Sequence, residues 1–564
     1  MIGALVRKAR QLVGDPALRR YLLERAMGRT AAPRRFVPGH PPYLADLALP
    51  LPSRLAPFAE LPAMPPTAPL TLSLPGACVT LSPQAPGALF DQDFPDIETR
   101  LAVHRFAWLP LQADGLDPAW VCALWQEWRS RFGSPGPGWD WHPYTAAERL
   151  INLLDFARRS GGLPGPVADT VAVLAAHGPA IAARLEYSGD HYTGNHLSNN
   201  GRGLFLLGCA LGWDRCAELG AEILLAEAGR IFTSSGLLRE ESSHYHLLLT
   251  RNYISAWLAA RRFCRPESEA FAGIAARALT AAAIFSLPGG LPLVGDISPD
   301  CPPAFLAGLL PGGTGGWLAL LTDDERRELA ALPQPALGDP VADGWARADQ
   351  GDWALLVHAG PQGWPFIPGH GHHDLGGFEL HWRGLPLIVD PGRGAYGDSG
   401  EAALYRSAAV HNGLTIDGAD PTAANRPYYG DDFRRREGGE PPVLRRRSDG
   451  IDLVHGAFRR QGVRWCERNW TVTDMAAIID DRVDGRGRRR LARMLTTPWP
   501  VRIDGDVVVI ETPRGQVRVV ADGAVVLRPV TRWIAYGQGE AATQIAIEDV
   551  RALPWSGRII LEAV

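Results

Sequence analysis

Three histidines fall within four residues, at His370, His372 and His373, in a glycine-rich stretch typical of a turn. Asp390 follows in the segment LIVDPG, and His411 comes after it. His372, Asp390 and His411 supply two imidazoles and one carboxylate, a ligand set suited to a first-row metal. On an extended segment, side chains two residues apart lie on the same side, and those between them lie on the other side. Local bends therefore decide which histidine binds metal and which faces a cleft. We predict one of each; a chance group of surface histidines is the alternative.

A second polar cluster, NHLSNNGR, runs from Asn195 to Arg202. If a helix starts here, His196 and Asn199 share a face because they lie three residues apart. Asn and His side chains can donate hydrogen bonds to one carboxylate and partly neutralise its charge. Since Asn and Ser also favour helix N-termini, a capping cluster is the alternative interpretation.

Tyr245 lies between two histidines in the segment REESSHYH, which begins at Arg239. A tyrosine can act as a base and then as an acid if cationic neighbours lower its pKa.

The segment WDWHPY, from Trp139 to Tyr144, is a further candidate site at the start of a predicted helix. Its aromatic rings suit stacking against sugars, and an aromatic anchor that holds a helix is the alternative.

The elements that carry these clusters change type along the chain. Residues 37–90 are rich in proline, with short strands expected at Leu70–Leu74 and Cys78–Leu81. Apolar residues then recur at three- and four-residue spacing, which predicts an all-α domain of helical hairpins over about 100–335. The predicted helices are Ala119–Phe132, Ala146–Ser160, Pro166–Glu186, Gly203–Leu211, Cys216–Ile231, Ser243–Phe263 and Glu267–Ile284.

After Pro340 the pattern becomes that of short strands separated by turn sequences, which predicts antiparallel sheets in a sandwich or barrel. The predicted strands are Trp353–His358, Gly377–Trp382, Pro386–Val389, Ile451–Leu453, Trp470–Val472, Val507–Glu511, Val517–Val520 and Ile545–Ile547. We therefore divide the chain into a basic and proline-rich lead-in (1–90), a helical domain (91–340) and a β domain (341–564), with the site in the cleft between the two domains.

Composition excludes several classes of function. The 564 residues are 46% hydrophobic and 21% charged, as in globular proteins of two or three domains. A net charge of −4 gives no general attraction to nucleic acid or to an anionic membrane. Lys8 is the single lysine, so catalysis through a lysine is nearly excluded, although codon usage explains the arginine total.

The seven cysteines are scattered without a CxxC pair, which indicates free thiols rather than disulfides or a thiolate zinc site. No secretion signal is visible, and Pro288 interrupts the longest uncharged stretch, so we expect no transmembrane segment. A cytoplasmic location is the expectation, with the periplasm as the alternative.

Taken together, the clusters resemble the heparinase II/III family of polysaccharide lyases, which also includes alginate and oligoalginate lyases. The motifs that carry the resemblance lie between Trp139 and Gly418: NHxxN, GLLREESSHYH, GHxHHDLGGFEL, LIVDPG and YRSAAVHNGLTIDG. The remaining β-rich part agrees in type only. The resemblance implies an α+β multidomain fold, with an incomplete (α/α) toroid followed by antiparallel β-sandwich domains.

The resemblance also implies β-elimination in a uronic-acid polymer, which needs a neutralised carboxylate, a base at C5 and an acid for the O4 leaving group. Carried over to this chain, Asn195 and His196 would neutralise the carboxylate. Tyr245 would be the acid and, in a syn elimination, also the base. His370 would be the base in an anti elimination, or a further stabiliser. The choice between syn and anti stays open.

The set His372, Asp390 and His411 matches the family's zinc ligands, where the zinc is structural and ties the loops that present His370. Gly369 departs from the asparagine frequent in relatives, which removes one neutralising donor. The other candidates for sugar contact are Trp141, Tyr144, Arg149, Asn199, Arg202, Glu241, His246, Tyr396 and Arg406, with Arg239 and Arg393 also near the motifs.

We therefore expect a lyase that acts on an acidic polysaccharide or oligosaccharide: a glycosaminoglycan, alginate or an exopolysaccharide. No organic cofactor and no nucleic acid partner are expected, and a homodimer stays open. A catalytically inactive glycan-binding protein of an exopolysaccharide pathway is the alternative. A glycoside hydrolase is disfavoured because Glu240 and Glu241 are adjacent and point apart, leaving no pair of acids in one motif.

Overall fold

The structure is a computed structural model that describes residues 2–29, 37–112, 115–189, 194–361, 369–422 and 431–564. Helices dominate its first part and strands its second, as the sequence predicts. The helices are α1 (Ile2–Gly14), α2 (Pro16–Ala26), α3 (Ile97–Arg105), α4 (Trp108–Leu111), α5 (Pro118–Phe132), α6 (Pro143–Ser160), α7 (Val167–Ala182), α8 (Asn195–Leu211), α9 (Asp214–Ile231), α10 (Ser243–Arg262), α11 (Ser268–Ala281), α12 (Pro303–Leu306), α13 (Asp323–Ala330), α14 (Gly400–Leu404) and α15 (Asp431–Gly438).

The helical domain has an inner and an outer layer. Helices α6, α8 and α10 lie side by side, and α7, α9 and α11 pack outside them. Because each outer helix returns the chain, the N-termini of the inner helices share one end of the domain. Two adjoining apolar cores fill the layers, one around Trp125 and Leu204 and one around Leu249 and Phe271. The predicted helical hairpins are thus confirmed.

Helix α8 begins at Asn195, well before the predicted start at Gly203. Its first turns present Asn195, Asn199 and Arg202 on one face, so the apolar period that marks a helix in sequence is missing there. At α10 the start is fixed by a cap, because the Ser242 side chain accepts a hydrogen bond from the Tyr245 amide at 3.1 Å. Polar helix starts therefore coincide with the clusters singled out in the sequence.

The strands follow in the second part, with four short ones earlier. They are β1 (Glu60–Leu61), β2 (Leu70–Leu74), β3 (Ala77–Leu81), β4 (Leu163–Pro164), β5 (Trp345–Gln350), β6 (Trp353–His358), β7 (Gly377–Trp382), β8 (Leu385–Ile388), β9 (Leu414–Ile416), β10 (Val443–Arg446), β11 (Gly450–His455), β12 (Val463–Val472), β13 (Ala476–Gly485), β14 (Arg488–Thr497), β15 (Val501–Asp504), β16 (Val507–Thr512), β17 (Gly515–Ala521), β18 (Ala524–Ala535), β19 (Gln538–Ala552) and β20 (Trp555–Ala563).

Three antiparallel sheets form the β domain. Their strand orders are β5-β6-β7-β8, β18-β19-β14-β9 and β10-β11-β12-β13-β20-β17-β16-β15. One apolar core, which includes Leu355, Leu380, Ile479 and Ile545, lies between them. Strand β13 escaped the sequence analysis because Asp480, Asp481 and Arg482 interrupt its apolar residues. The strand forms anyway, since it pairs with β12 on one side and β20 on the other.

The two domains meet along the strand β7. Phe285 and Val294 of the helical domain pack with Trp345 of the β domain in a shared apolar cluster. Beside it the buried Glu379 carboxylate accepts hydrogen bonds from the Leu293 amide at 3.1 Å and the Asp390 amide at 3.3 Å. This contact fixes two loops, residues 286–302 and 389–399, that reach the cleft.

The start of the lead-in contacts the β domain. Helix α2 packs through Leu18 and Tyr21 against Phe433 of the β domain. The stretch Ser268–Phe285 is long and apolar enough to cross a membrane by composition, yet its Phe271 and Ala275 lie in the helical core. All seven cysteines are free, five of them buried, as predicted.

Candidate active site

The cleft lies at the shared N-terminal end of the inner helices. Helix α6 contributes Tyr144, helix α8 contributes Asn195 and His196, and helix α10 contributes Tyr245. Helix N-termini carry partial positive charge, so three of them around one cleft favour an anionic ligand. Loops of the β domain complete the cleft with His370 and Tyr396.

Tyr245 and His370 form a stacked pair. Their ring centroids lie 3.5 Å apart and their planes differ by 12°. The Tyr245 hydroxyl shares a 2.6 Å hydrogen bond with the Tyr396 hydroxyl, which donates to the Ile297 carbonyl at 3.3 Å. Residues far apart in the sequence thus meet at one point of the cleft.

The condition for Tyr245 to act as a base, a pKa lowered by cationic neighbours, is not met in this structure. Burial raises the pKa of the phenol well above its ordinary value, and the negative charges of Asp300 and Asp296 add to the rise. The hydrogen bond with Tyr396 opposes the rise without cancelling it. Arg149, Arg202 and Arg393, which lie near the motifs, bond to other groups, and Tyr245 is a neutral phenol at rest.

Hydrogen bonds define the protonation of His370. The Asn195 amide nitrogen Nδ2 donates to His370 Nε2 at 2.9 Å, and His370 Nδ1 lies 3.1 Å from Asp296 Oδ2. A carboxylate accepts and an amide NH₂ donates, so the proton is on Nδ1 and the lone pair is on Nε2. An imidazole with its lone pair on Nε2 is equipped to accept a proton there.

Asp296 is a site residue that the sequence analysis missed. Its carboxylate contacts His370 Nδ1, His372 Nε2 at 2.9 Å and Arg393 NH1 at 3.1 Å. Although burial opposes it, these histidine bonds hold the pKa of Asp296 well below its usual range. Arg393, expected to bind sugar, instead is buried and neutralises this carboxylate. The sequence around Asp296, LVGDISPD, carries no motif that marks it.

His196 lies across the cleft with a carboxylate of its own. Its Nδ1 is 2.6 Å from Glu186 Oε1, and the side chain is half exposed. Asn200 holds Glu186 in place by donating to Oε2 at 2.9 Å. Desolvation lowers the pKa of His196, but the charge and hydrogen bond of Glu186 outweigh it and raise the pKa. His196 is therefore biased towards an imidazolium whose Nε2 can face a ligand.

Asn195 is bound to Glu240 as well as to His370. Glu240 accepts from the Asn195 backbone amide at 2.9 Å and from Nδ2 at 3.1 Å. A Cβ at Gly369 would lie 3.5 Å from Glu240 Oε1. Gly369 thus leaves room beside the Glu240 carboxylate where an asparagine side chain was expected from the resemblance. Without substrate, Asn195 positions His370.

The predicted metal ligands do converge. One ligand atom each from His372, Asp390 and His411 lies within 4.8 Å of the others, and all three side chains are buried. His411 Nε2 donates to the Tyr405 carbonyl at 3.0 Å, which leaves the Nδ1 lone pair 2.9 Å from Asp390 Oδ2. His372 donates to Asp296, and its Nδ1 has no partner in the described part of the chain.

Two imidazole lone pairs and a carboxylate that face one another repel unless a cation or extra protons lie between them. Burial lowers the pKa of His411, yet Asp390 outweighs it and raises the pKa to about 9. The donor set, with each imidazole oriented by a second hydrogen bond, fits a divalent transition metal.

Four predicted sugar contacts are buried in the protein instead. Trp141 and Arg149 lie in the helical core, where the Arg149 guanidinium stacks on Trp128 at 3.9 Å. His246 accepts from the Leu238 amide and lies 2.9 Å from the Ala278 carbonyl. Glu241 contacts His358 at 3.9 Å, and burial raises its pKa to about 8. Their hydrophobic neighbours exclude sugar, so these positions are structural.

The remaining candidates are partly accessible or occupied. Tyr144 contacts the His196 ring at a centroid distance of 4.6 Å and donates to Asp300 at 2.6 Å. Asn199 and Arg202 continue the inner face of α8 away from the cleft. Arg406 is half-buried, and Arg239 is exposed on the loop before α10.

Trp139 is the exposed tryptophan of the segment WDWHPY, whose rings were expected to stack on sugars. It is 53% exposed and stacks on His142 at 5.2 Å. His142 in turn lies 3.6 Å from Glu186, the partner of His196. An exposed tryptophan thus adjoins the cleft, while its neighbour Trp141 points inward.

Comparison with known proteins agrees with this architecture. The family described as Heparinase II/III-like, C-terminal matches residues 335–552. A heparinase III crystal structure superimposes with a TM-score of 0.61 at 16% identity, covering 84% of this chain and 79% of that one. A second heparinase III gene product gives 0.56 at 17% identity, with 84% and 80% covered.

The heparan sulfate lyase HepC from Pedobacter heparinus gives a TM-score of 0.52 at 16% identity, covering 83% of this chain and 77% of that one. At such identities the likeness is one of fold, and it confirms an incomplete (α/α) toroid followed by antiparallel sheets. No curated protein sequence matches the chain. Residues 335–552 thus match a heparinase II/III family domain, and the chain has the fold of the heparinase III structures.

Proposed function

We propose that this protein is a polysaccharide lyase that cleaves a uronic-acid-containing polysaccharide or oligosaccharide by β-elimination. The observation that carries the proposal is the stacked pair of Tyr245 and His370, with a neutral phenol and an imidazole lone pair at one point of an anion-favouring cleft. Such a pair supplies an acid and a base without any redox or nucleotide cofactor.

The reaction removes the proton from C5 and breaks the bond from C4 to O4, which leaves a double bond between C4 and C5. His370 Nε2 accepts the C5 proton, since its lone pair is oriented by Asn195 and Asp296. Tyr245 donates a proton to the departing O4, because burial keeps the phenol protonated. Tyr396, bonded to the Tyr245 hydroxyl, orients it and can return the proton.

Removal of the C5 proton places negative charge on the uronate carboxylate, so that group must be stabilised. The imidazolium of His196, kept charged by Glu186, is the first donor for it. Asn195 becomes the second donor when substrate displaces one of its present bonds, to Glu240 or to His370. Because Glu240 holds the Asn195 amide in the free protein, Asn195 can bind the uronate carboxylate only after substrate has displaced one of these bonds.

We propose zinc as the metal held by His372, Asp390 and His411. When bound, the ion would hold the loops on either side of the cleft in place by joining their ligands. His372 lies next to the stretch that carries His370, and Asp390 precedes the loop that carries Tyr396. The role is therefore structural, and the elimination is carried out by the side chains of the chain.

The substrate belongs to the acidic polysaccharides, and the solved relatives named above include heparinase III and a heparan sulfate lyase. Heparan sulfate, other glycosaminoglycans, alginate and bacterial exopolysaccharides rich in glucuronate are the candidates. Trp139, exposed beside the cleft, supplies a stacking surface for a sugar ring next to the cleaved bond.

The test is incubation of the protein with each of these polymers while absorbance near 235 nm is followed. An unsaturated uronate absorbs there, and a steady rise with at least one polymer is expected. Tyr245→Phe serves as the matched control, since it removes one hydroxyl and keeps the ring that stacks on His370. A flat trace with every polymer, together with retained polymer binding, would favour a glycan-binding protein instead.

A further inference from the structure

The helical domain contains a second cavity, at the opposite end of the inner helices from Tyr245. It has a volume of about 510 Å³ and lies among the C-terminal halves of α6, α8 and α10. Helix α10 rises about 1.5 Å per residue, so its lining residues from Arg251 to Arg262 begin about 9 Å beyond Tyr245 and end about 25 Å beyond it. The cavity is of the size that binds small molecules.

The side chain of Arg251, which lines this cavity, has no hydrogen-bond or ion-pair partner among the residues that the structure describes. The residue is only 6% exposed, and its Nε has no hydrogen bond. Its two other guanidinium nitrogens form no hydrogen bond or ion pair within the described ranges either. A buried cation without a counter-charge is costly, and arginine cannot escape the cost by losing its proton.

Arg202 brings a second positive charge to the same wall. It donates to Glu148 at 3.1 Å, while its Nε has no partner in the described structure. Burial and then the neighbouring charge of Arg251 lower the pKa of Arg202 to about 10. Among the residues described, Glu148 lies within ion-pair distance of Arg202, and no carboxylate lies within that distance of Arg251. The wall therefore carries more positive than negative charge at contact range.

The rim and the other walls differ from this charged wall. Arg158 and Arg262 at the rim are paired with Asp155 and Glu325, so they add no net charge. The remaining surface is largely apolar and aromatic; it includes Phe58, Leu206, Leu258, Phe263, Trp317 and Leu320. A ligand that fits must combine an anionic group with a compact body that can contact carbon-rich walls.

We propose that this cavity is a second binding site, separate from the catalytic cleft, for a compact organic carboxylate of about sugar-acid size. The carboxylate would bind the guanidinium groups of Arg251 and Arg202, which match it as planar donors. The body of the ligand would pack on Trp317 and Phe58. Binding at this site does not depend on the lyase reaction, so the failure of either proposal leaves the other unaffected.

The experiment measures binding of D-glucuronate by calorimetry to wild type, His196→Ala, Arg251→Met and Ser255→Phe. His196→Ala removes the carboxylate donor of the cleft, so binding that survives in it belongs elsewhere. Arg251→Met keeps the length of the side chain without its charge, and Ser255→Phe fills the cavity from α10 without touching either arginine. We expect His196→Ala to bind, and the two cavity variants to bind at least about tenfold more weakly.

Folding of the variants is followed by thermal unfolding. Since the Arg251 side chain has no partner to lose among the described residues, Arg251→Met is expected to unfold at the same temperature as wild type or higher, whereas a structural role for Arg251 would lower it. D-glucose and inorganic sulfate are the reference probes. Glucuronate binding unchanged in both cavity variants, absent in His196→Ala, or matched by glucose or sulfate, would overturn the proposal.

Discussion

Tyr245 and His370 contact each other face to face, yet their environments drive them to different protonation. Burial keeps the proton on Tyr245, whereas hydrogen bonds from both sides fix the lone pair of His370 on Nε2. In the proposed elimination the two residues would therefore divide the acid and base roles between them. A single tyrosine that serves as both would need a lowered pKa, which its surroundings do not provide.

This division predicts how two variants respond to the leaving group. Tyr245→Phe should lower kcat about a thousandfold on a natural polymer, because general acid catalysis contributes that order of rate. On a uronate with fluoride at C4, which leaves without protonation, Tyr245→Phe should recover most of its rate. His370→Ala should stay inactive on both substrates. A Tyr245→Phe variant that fluoride does not rescue would show that the tyrosine is also the base.

The pair of His196 and Glu186 predicts a pH effect on substrate binding. The pKa of His196 is raised, so its charge is present at low pH and is lost as pH rises through that raised value. KM for a uronate polymer should therefore rise on the alkaline side. In Glu186→Gln the charge and bond that raise the pKa are gone, and the rise in KM should begin at a lower pH.

At pH 7.5 the Glu186→Gln variant should have a KM about tenfold above wild type, because the charge-assisted hydrogen bond from His196 to the substrate is lost. Glu240→Gln is the matched control, since Glu240 bonds Asn195 rather than His196 and affects the His196 pKa less. Equal pH profiles for Glu186→Gln and wild type would contradict the role given to Glu186.

Single residues also show what the sequence could and could not predict. Asn195, His196, Tyr245 and His370 were found because each lies within a short motif, and the structure brings all four to one cleft. Asp296 and Glu186 were missed because no pattern surrounds either residue. His370 lies 74 residues from Asp296, and His196 lies 10 residues from Glu186. Arg149 was misassigned because closeness in sequence to a motif says nothing about which way a side chain points.

Two loops of the β domain position the catalytic groups, one through residues 369–374 and one through residues 389–399. They are joined at the level of side chains by Asp296, which contacts His370, His372 and Arg393. The candidate metal site lies beside this carboxylate and takes ligands from both loops and from His411. Order in the loops therefore depends on buried polar contacts more than on regular structure.

The metal site gives a prediction for these loops. Native protein should contain about one zinc per chain, and His411→Ala should lose it, unfold at a lower temperature and turn over about tenfold more slowly. His373→Ala is the matched control, because His373 lies in the same stretch but outside the ligand set. Metal analysis and calorimetry decide it. Zinc retained at one equivalent in His411→Ala would refute the assignment.

Elements as a class were more predictable than residues. Strands β6 and β7 have the predicted bounds because their residues are all buried and apolar runs mark them. The start of α8 and the strand β13 could not be found, since polar side chains replace the apolar period in both. Tertiary contacts, to the cleft in one case and to neighbouring strands in the other, decide those elements.

At the scale of the molecule, the acid and the base belong to different domains. Tyr245 is on helix α10, and His370 is on a loop between β6 and β7. Their contact depends on the interface of Phe285, Val294 and Trp345 and on the hydrogen bonds to Glu379. Catalysis is thus expected to report on how firmly the domains are joined.

Glu379→Ala tests this coupling. It leaves the amides of Leu293 and Asp390 without an acceptor, which should cost about 2–4 kcal/mol in the free energy of unfolding and lower kcat. Glu379→Gln keeps a carbonyl acceptor and should lose much less of both. Denaturant unfolding and steady-state rates measure the two effects, and identical behaviour of the two variants would contradict the argument.

The position of strand β20 has a consequence for the making of the protein on the ribosome. Residues 555–563 form an inner strand of the eight-stranded sheet, between β13 and β17. While translation proceeds, Tyr245 emerges long before this strand. The eight-stranded sheet, which shares an apolar core with the sheet of β6 and β7 beside the His370 loop, cannot close until β20 has left the exit tunnel. A nascent or prematurely terminated chain would therefore carry the tyrosine without an ordered partner.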